Sequence, residues 1–270
     1  MKIGYLTRIH NESELIYYNL KYYLNLGVNG FFITLNNSDQ RTIEKVNNFF
    51  KEYPKLFHKI YIEKNEEYNQ PEIFNKMSDN AFSYGFKWQI PNDADELLII
   101  RNNSLKNILS QYDKNFEYGY INMKWIDYQA SEKDNQLDEN FFTRWKYREP
   151  VPRPPTKIIY KWSPGCKHGQ GHHLLIAKRK LIDNILPEIM FKAHFVNREY
   201  EQIKYKRIRI GEAFIKKYGY ESNKPQINEY KLYENQGNDY FKLVWKKICQ
   251  YRKKNFDKFI YDPINKKLFS

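Results

Sequence analysis

Pro91-Asn92-Asp93-Ala94-Asp95-Glu96-Leu97-Leu98 places two carboxylates one residue apart where an apolar strand runs out. Asp93 and Asp95 offer hard oxygen ligands of the kind Mg²⁺ or Mn²⁺ accepts, and such a cation commonly stays bound to substrate phosphates. The pattern points to a nucleotide-diphosphate substrate. An acidic turn, with Asp95 capping a following helix, is the plainer alternative, because short D-x-D patterns arise often by chance. The surrounding chain decides between the two.

Working outward, residues 2–8 read as a strand and 12–26 as a helix closed by Gly27, with Leu15, Ile16, Leu20, Tyr23 and Leu24 on one helical face. The run from Gly30 to Leu35 reads as a second strand ending in Asn36-Asn37-Ser38-Asp39, followed by a helix over 41–51. A third strand is expected over 57–62, a helix over 71–83 and a fourth strand over 87–90, directly upstream of Asp93. This alternation predicts an α/β fold with a mostly parallel sheet flanked by helices. Ligands bind such sheets at the carboxyl ends of the strands, where Thr7-Arg8, Asn36-Asn37 and Asp93-Ala94-Asp95 all fall.

Four groups of residues carry a family resemblance. Thr7-Arg8-Ile9-His10-Asn11-Glu12, followed by Tyr22 to Val28, is similar to an opening "K/R-N-E … W-x-x-Y-H-x-x-x-G-V", with the usual Trp and His replaced. Asn36-Asn37-Ser38-Asp39-Gln40-Arg41-Thr42 is similar to "D-N-x-S-x-D-x-T", with Asn36 where an acid is common. Gln70 with Phe74-Asn75, and then Trp88 to Leu97, is similar to "Q … Y-N" and "W-x-x-x-x-D-x-D-E-F". Gln170-Gly171-His172-His173, and then His194 to Gln202 with Lys206, is similar to "Q-G-N-H" and "H-F-P-x-R-S-x-E-Q-F-x-x-K-x-x-x-G"; Val196 and Glu199 depart from it, and Gly211 comes one residue late. Over most of residues 1–211 the chain thus resembles nucleotide-sugar glycosyltransferases of the Rossmann-like GT-A fold, in the family 2 and family 92-like group.

The resemblance implies donor contacts from Thr7, Arg8, Asn11, Glu12, Asn36, Asn37, Gln70, Asn75, Asp93, Ala94, Asp95, His173, Arg198 and Lys206, and an inverting reaction. The residue types suit that chemistry on their own. Breaking a glycosidic bond to a nucleoside diphosphate builds negative charge on the diphosphate. A cation held by Asp95, with Asp93 binding directly or through water, stabilises that charge as a Lewis acid. His194 would add a nitrogen ligand, which favours Mn²⁺ over Mg²⁺. Arg198 can grip a phosphate with a bidentate fork, and Lys206 follows two helical turns later. An inverting enzyme also needs a carboxylate near the acceptor hydroxyl. Asp127, expected just after a strand over 118–123, is the first candidate for this base and Glu96 the second.

Other readings are weighed beside these. His10 and His58 have no partner pattern and read as ordinary half-buried residues. His168, His172 and His173 lack a thiolate or carboxylate at zinc-motif spacing. Without His194 nearby, Arg198, Lys204, Lys206, Arg207 and Arg209 would read as a solvated basic face.

The length of 270 residues is ample for a core, and the expected organisation is a catalytic domain over 1–215 with a helical extension over 216–270. The 149–155 stretch, rich in proline, reads as a loop flanking the active site. Two cysteines imply no disulfide framework and a reducing, cytoplasmic setting. Neither a secretory signal nor the roughly 18 apolar residues of a membrane span is evident.

The net charge of +13 is carried partly by residues 239–270, with nine Lys or Arg against three Asp. Such a basic amphipathic tail fits peripheral contact with the inner face of an anionic bacterial membrane, where a lipooligosaccharide, capsule or similar glycan acceptor would be met. A helix packed with its lysines in water explains it equally well.

The function expected is metal-dependent transfer of a sugar, from a UDP-sugar or similar donor, to a bacterial surface glycan. A nucleotidyltransferase is the enzymatic rival, although Thr7 to Glu12 contains no glycine for a phosphate loop. A non-catalytic nucleic-acid or anionic-surface binding protein is the other, although no nucleic-acid-binding signature accompanies the charge.

Overall fold

The computed structural model describes residues 1–64, 69–113, 119–130, 139–176, 182–195 and 200–269. Its strands are β1 (Ile3–Ile9), β2 (Gly30–Asn36), β3 (Phe57–Glu63), β4 (Trp88–Asn92), β5 (Glu96–Ile100), β6 (Gly119–Gln129), β7 (Tyr147–Arg148), β8 (Arg153–Lys161), β9 (Lys167–His168), β10 (Leu175–Ile176), β11 (Ile182–Asn184), β12 (Met190–Phe195) and β13 (Ile260–Tyr261). The helices are α1 (Ile16–Asn25), α2 (Gln40–Glu52), α3 (Gln70–Ser83), α4 (Leu105–Asp113), α5 (Phe141–Arg144), α6 (Tyr200–Tyr218), α7 (Pro225–Gln236) and α8 (Asn238–Asn255).

The main sheet runs β13-β7-β6-β8-β4-β1-β2-β3. Its β4-β1-β2-β3 side is wholly parallel, as β-α alternation requires, whereas β8 runs antiparallel between β4 and β6. β12 then pairs parallel with β6 and antiparallel with β5. The fold is therefore α/β with a mixed, largely parallel sheet. Parallel strands covered on both faces become almost continuously apolar; β2 is buried at every position.

The core is strongly aromatic. Tyr5, Tyr23, Phe31 and Phe49 are fully or almost fully buried, and Tyr5 meets Tyr23 with ring centroids 4.5 Å apart. Gly30, at the start of β2, is fixed by its surroundings: a Cβ there would lie 2.4 Å from two ring atoms of Phe86. Gly30→Ala should lower stability by about 1–3 kcal/mol through overpacking, read as a lower urea midpoint at unchanged m-value.

Two local expectations are corrected. A strand, β5, follows Asp95 after a tight turn, so that residue caps no helix. Asp127 stands inside β6 rather than beyond it, because that strand continues to Gln129 as the partner of β8 and then β7.

The expected domain boundary after residue 215 falls within α6. That helix packs on α7 where Gly211 leaves room: a Cβ there would meet Tyr230 Cβ at 2.6 Å. The chain then returns to the sheet. β13 adds an edge beside β7, and Phe269 stacks on Phe142 and tilts against Tyr22. No helix among the described residues is long and apolar enough to cross a membrane.

Candidate active site

The turn between β4 and β5 is held from below by buried amides and phenols. Asn92 Nδ2 donates to the carbonyls of Asp93 and Glu96, at 2.6 and 3.0 Å. Asn19, on α1, donates to the carbonyls of Ala94 and Glu96, at 3.0 and 2.9 Å. Tyr5 in turn donates to Asn19, and Tyr23 to Asn92. With its backbone acceptors occupied in the interior, the loop turns Asp93 and Asp95 toward a cavity of about 270 Å³.

One wall of this cavity comes from the carboxyl ends of β1 and β2, with Arg8, His10, Glu12 and Asn36. Arg8 is ion-paired with Glu63 at 3.1 Å, and His10 Nδ1–H donates to the Asn36 carbonyl at 2.6 Å. Burial, with Arg209 and Arg8 nearby, holds His10 below the ordinary histidine pKa. The Asn36 side-chain carbonyl is buried on this wall and has no hydrogen-bond partner among the described residues. Arg209, Ile210 and Ala213 of α6 also line the cavity, as do Gln70, Trp125 and His173. His173 Nδ1–H donates to the Thr156 carbonyl at 2.7 Å.

On the floor stands Lys157 of β8, which the sequence reading missed. Its ammonium lies 2.7 Å from Glu96, 3.4 Å from Asp93 and 3.1 Å from the Gly171 carbonyl, and 4.7 Å from the Trp125 ring centre. Burial works to lower its pKa, but Glu96 and Asp93 outweigh that and hold it above the ordinary lysine value. Asp93 also faces His172 Nε2 at 3.6 Å. His172 has φ 60°, a left-handed backbone uncommon outside glycine and asparagine. This conformation follows Gly171 and brings the ring into reach of Gln70, 3.2 Å away.

Behind the loop, His194 on β12 sits between two carboxylates. Its Nδ1 is 2.9 Å from Asp127 Oδ1 and, since a carboxylate only accepts, Nδ1 is the donor. Nε2 is thereby left facing Asp95 Oδ2 at 3.8 Å. The juxtaposition follows from register, because His194 pairs with Asp127 across β12 and β6 and with Glu96 across β12 and β5. Arg153 of β8 ion-pairs with the other oxygen of Asp127.

Among the described residues no group of three or more His, Cys, Asp or Glu side chains is arranged to hold a metal ion. The donor set that does exist, a carboxylate oxygen beside an imidazole nitrogen oriented by a second carboxylate, suits a divalent cation that draws its remaining ligands from phosphate oxygens and water.

The other expected residues are placed as follows. Thr7 is fully buried in β1 and lies outside the cavity lining. Asn11 and Asn37 take left-handed turn conformations, and Asn11 Oδ1 accepts from the Asp39 N–H at 2.7 Å, tying the β1 loop to α2. Asn75 Oδ1 accepts from the His168 N–H, joining α3 to β9. Asp127 and Glu96 are fully buried. Arg198 lies outside the described residues, as does the side chain of Lys206.

Glu96 is flanked by a second buried lysine, Lys192, at 3.9 Å. Lys192 Nζ donates to Asn92 and Tyr23, and burial lowers its pKa to about 8 despite Glu96. Its pKa is thus depressed on folding, so between pH 8 and about 10.5 the unfolded chain binds the extra proton and stability rises with pH. Urea unfolding of wild type relative to Lys192→Met should show this gain, on the order of 3 kcal/mol across that window. A flat difference would mean that Lys192 titrates as in water.

No protein-family profile matches the chain, and no curated protein sequence does. Solved structures that it overlays include the mannosyltransferase PcManGT of Pyrobaculum calidifontis in complex with GDP-Man and Mn²⁺, at TM-score 0.44 and 11% identity over 94% of this chain and 75% of that one. A UDP-glucose pyrophosphorylase complexed with UDP-glucose overlays at 0.36 and 14% identity, over 72% and 90%. HddC from Yersinia pseudotuberculosis does so at 0.33 and 10%, over 58% and 75%.

Proposed function

We propose that this chain is a metal-dependent glycosyltransferase of the GT-A type that takes a nucleotide-sugar donor, a UDP-sugar first among them. The reading is carried by one observation: an Asp93-Ala94-Asp95 turn, braced from the interior, shares a single cavity at the carboxyl ends of parallel strands with Arg8, Lys157 and Arg209. Cations lining the same cavity as two carboxylates suit a diphosphate bridged to a metal.

In this reading Asp95 and His194 would hold Mn²⁺ or Mg²⁺, with Asp93 binding directly or through water. When bound, the cation supplies Lewis-acid stabilisation of the diphosphate leaving group. Arg8 and Arg209 take phosphate oxygens by charge-assisted hydrogen bonds. The unpaired Asn36 carbonyl accepts from the ribose or base. Asp127 orients the His194 ring, and its two oxygens are engaged by His194 and Arg153. Glu96 acts as the buried counter-ion of Lys157 and Lys192. The acceptor, a bacterial surface glycan met by a cytoplasmic enzyme at the membrane, belongs to the same proposal.

A thermal-shift panel of nucleotide sugars with and without Mn²⁺ tests it. One donor should stabilise the chain only when metal is present, by about 2.7 kcal/mol at a hundred times its Kd. No shift with any donor, or pyrophosphate release from UTP and a sugar 1-phosphate, would overturn the reading in favour of a binding protein or a nucleotidyltransferase.

A further inference from the structure

A second cavity, of about 390 Å³, opens where β6, β7 and β8 meet α8. Glu149, Arg153, Gln129, Lys247 and Tyr251 line it. It shares a sheet face with the first. Alternate residues of a strand point the same way, so Trp125, Asp127 and Gln129 form one row on β6, running from the first cavity, past His194, to the second. On β8, Lys157 lines the first cavity and Arg153 the second; they sit opposite Met123 and Trp125 of β6, on either side of a shift in register. Arg153 joins both neighbourhoods, since it lines the second cavity while holding the Asp127 that orients His194.

The chemistry of this lining is that of a sugar site with an excess of positive charge. Glu149 Oε1 accepts from Gln129 Nε2 at 2.7 Å and Tyr251 OH at 3.4 Å, a planar polar group beside an aromatic ring. Arg153 is 43% exposed and engages Asp127 through Nε, so its guanidinium keeps further donors. Lys247 is exposed on α8. Arg252 Nε also donates to Gln129 Oε1 at 3.4 Å. With the buried Asp127 that Arg153 pairs with included, three cations (Arg153, Lys247 and Arg252) stand against two carboxylates (Glu149 and Asp127) among the described residues, which leaves one positive charge in excess for an anion, while the amide, phenol and carboxylate complement hydroxyls.

We propose that this second cavity is an acceptor subsite for a sugar unit bearing a carboxylate or phosphate, which Arg153 and Lys247 bind while Glu149, Gln129 and Tyr251 take its hydroxyls. The inference rests on the transferase reading for the word acceptor. A donor in the first cavity and an acidic sugar in the second would then flank the buried His194–Asp127 pair, reached through Trp125 on one side and Arg153 on the other.

Titration calorimetry of the full chain with methyl glucuronide, glucose 6-phosphate, neutral methyl glucoside and inorganic phosphate tests it. The two acidic sugars should bind at least about tenfold more tightly than the neutral one. Lys247→Glu, an exposed change, should abolish that preference while the Mn²⁺-dependent nucleotide-sugar shift persists. Equal binding of acidic and neutral sugars, an unchanged preference in Lys247→Glu, or inorganic phosphate binding as tightly as glucose 6-phosphate would each overturn the subsite. Acidic-sugar binding that is lost in Lys247→Glu, in a chain that no nucleotide sugar stabilises, would uphold the subsite and sink the transferase reading instead.

Discussion

Lys157→Met is expected to lower the stability of the fold by about 3–5 kcal/mol, the range for stripping one partner from a buried ion pair. Lys157 is 3% exposed and its closest partner, Glu96, 1%. Removing the ammonium leaves the Glu96 carboxylate in the interior with Lys192, at 3.9 Å, as its remaining cation among the described residues. Asp93, on the cavity side and 39% exposed, is partly solvated and contributes less. A second substitution identifies the cause. Lys157→Met with Glu96→Gln removes both charges, and the pair should lose clearly less than the sum of the single variants. Urea unfolding of all four proteins measures the coupling; simple additivity would show that Lys157 matters only for packing. Sugar transfer should fall as well, because Lys157 is one of the three cations that share the cavity with the acidic turn.

Asp95→Asn is the second large effect. It keeps the shape of a side chain that is 4% exposed while removing the charge that faces His194 Nε2 at 3.8 Å. A cation held there would stabilise the leaving diphosphate by several kcal/mol, so transfer should fall by about 10³-fold, at 1.36 kcal/mol for each tenfold step. Initial rates of sugar transfer and of donor hydrolysis measure this, and the metal-dependent part of the donor thermal shift should disappear with them. Asp127→Asn should do less. It retains an acceptor for His194 Nδ1 but weakens the hold on the ring, for which about 10- to 100-fold is usual of a residue supporting a metal ligand. Full activity in Asp95→Asn would remove the carboxylate from any part in binding the donor.

The half of the fold built from β1 to β4 was legible in the sequence because β1, β2 and β4 are short, mostly apolar runs ending at or next to Asn, and the helices between them show an apolar face. The carboxyl-end rim followed from that alternation, and eight of the expected donor residues, Arg8, Glu12, Asn36, Gln70, Asp93, Ala94, Asp95 and His173, line one cavity. What failed to show was non-local. Lys157 reads as an ordinary strand lysine beside Ile158 and Ile159. Only the antiparallel insertion of β8 between β4 and β6 reveals that it points at Glu96. A signal was available in Glu96 itself, an acid directly before the apolar run Leu97 to Ile100, which needs a buried cation from elsewhere. Asp127 was placed beyond β6 because the charged Lys124 interrupts the apolar run, although Trp125-Ile126-Asp127-Tyr128 holds no turn residue to end a strand, and local reading cannot see the β7 and β8 partners that prolong it.

Phe269 resting on Tyr22, with Asn25 donating to the Leu268 carbonyl at 3.2 Å, sets the order in which the molecule can mature. Ribosomal synthesis delivers the N-terminal segment first, so α1 must wait through some 240 further residues before the aromatic rings that seal its outer flank emerge. During that interval Tyr22 and its neighbours are open to water and to chaperones.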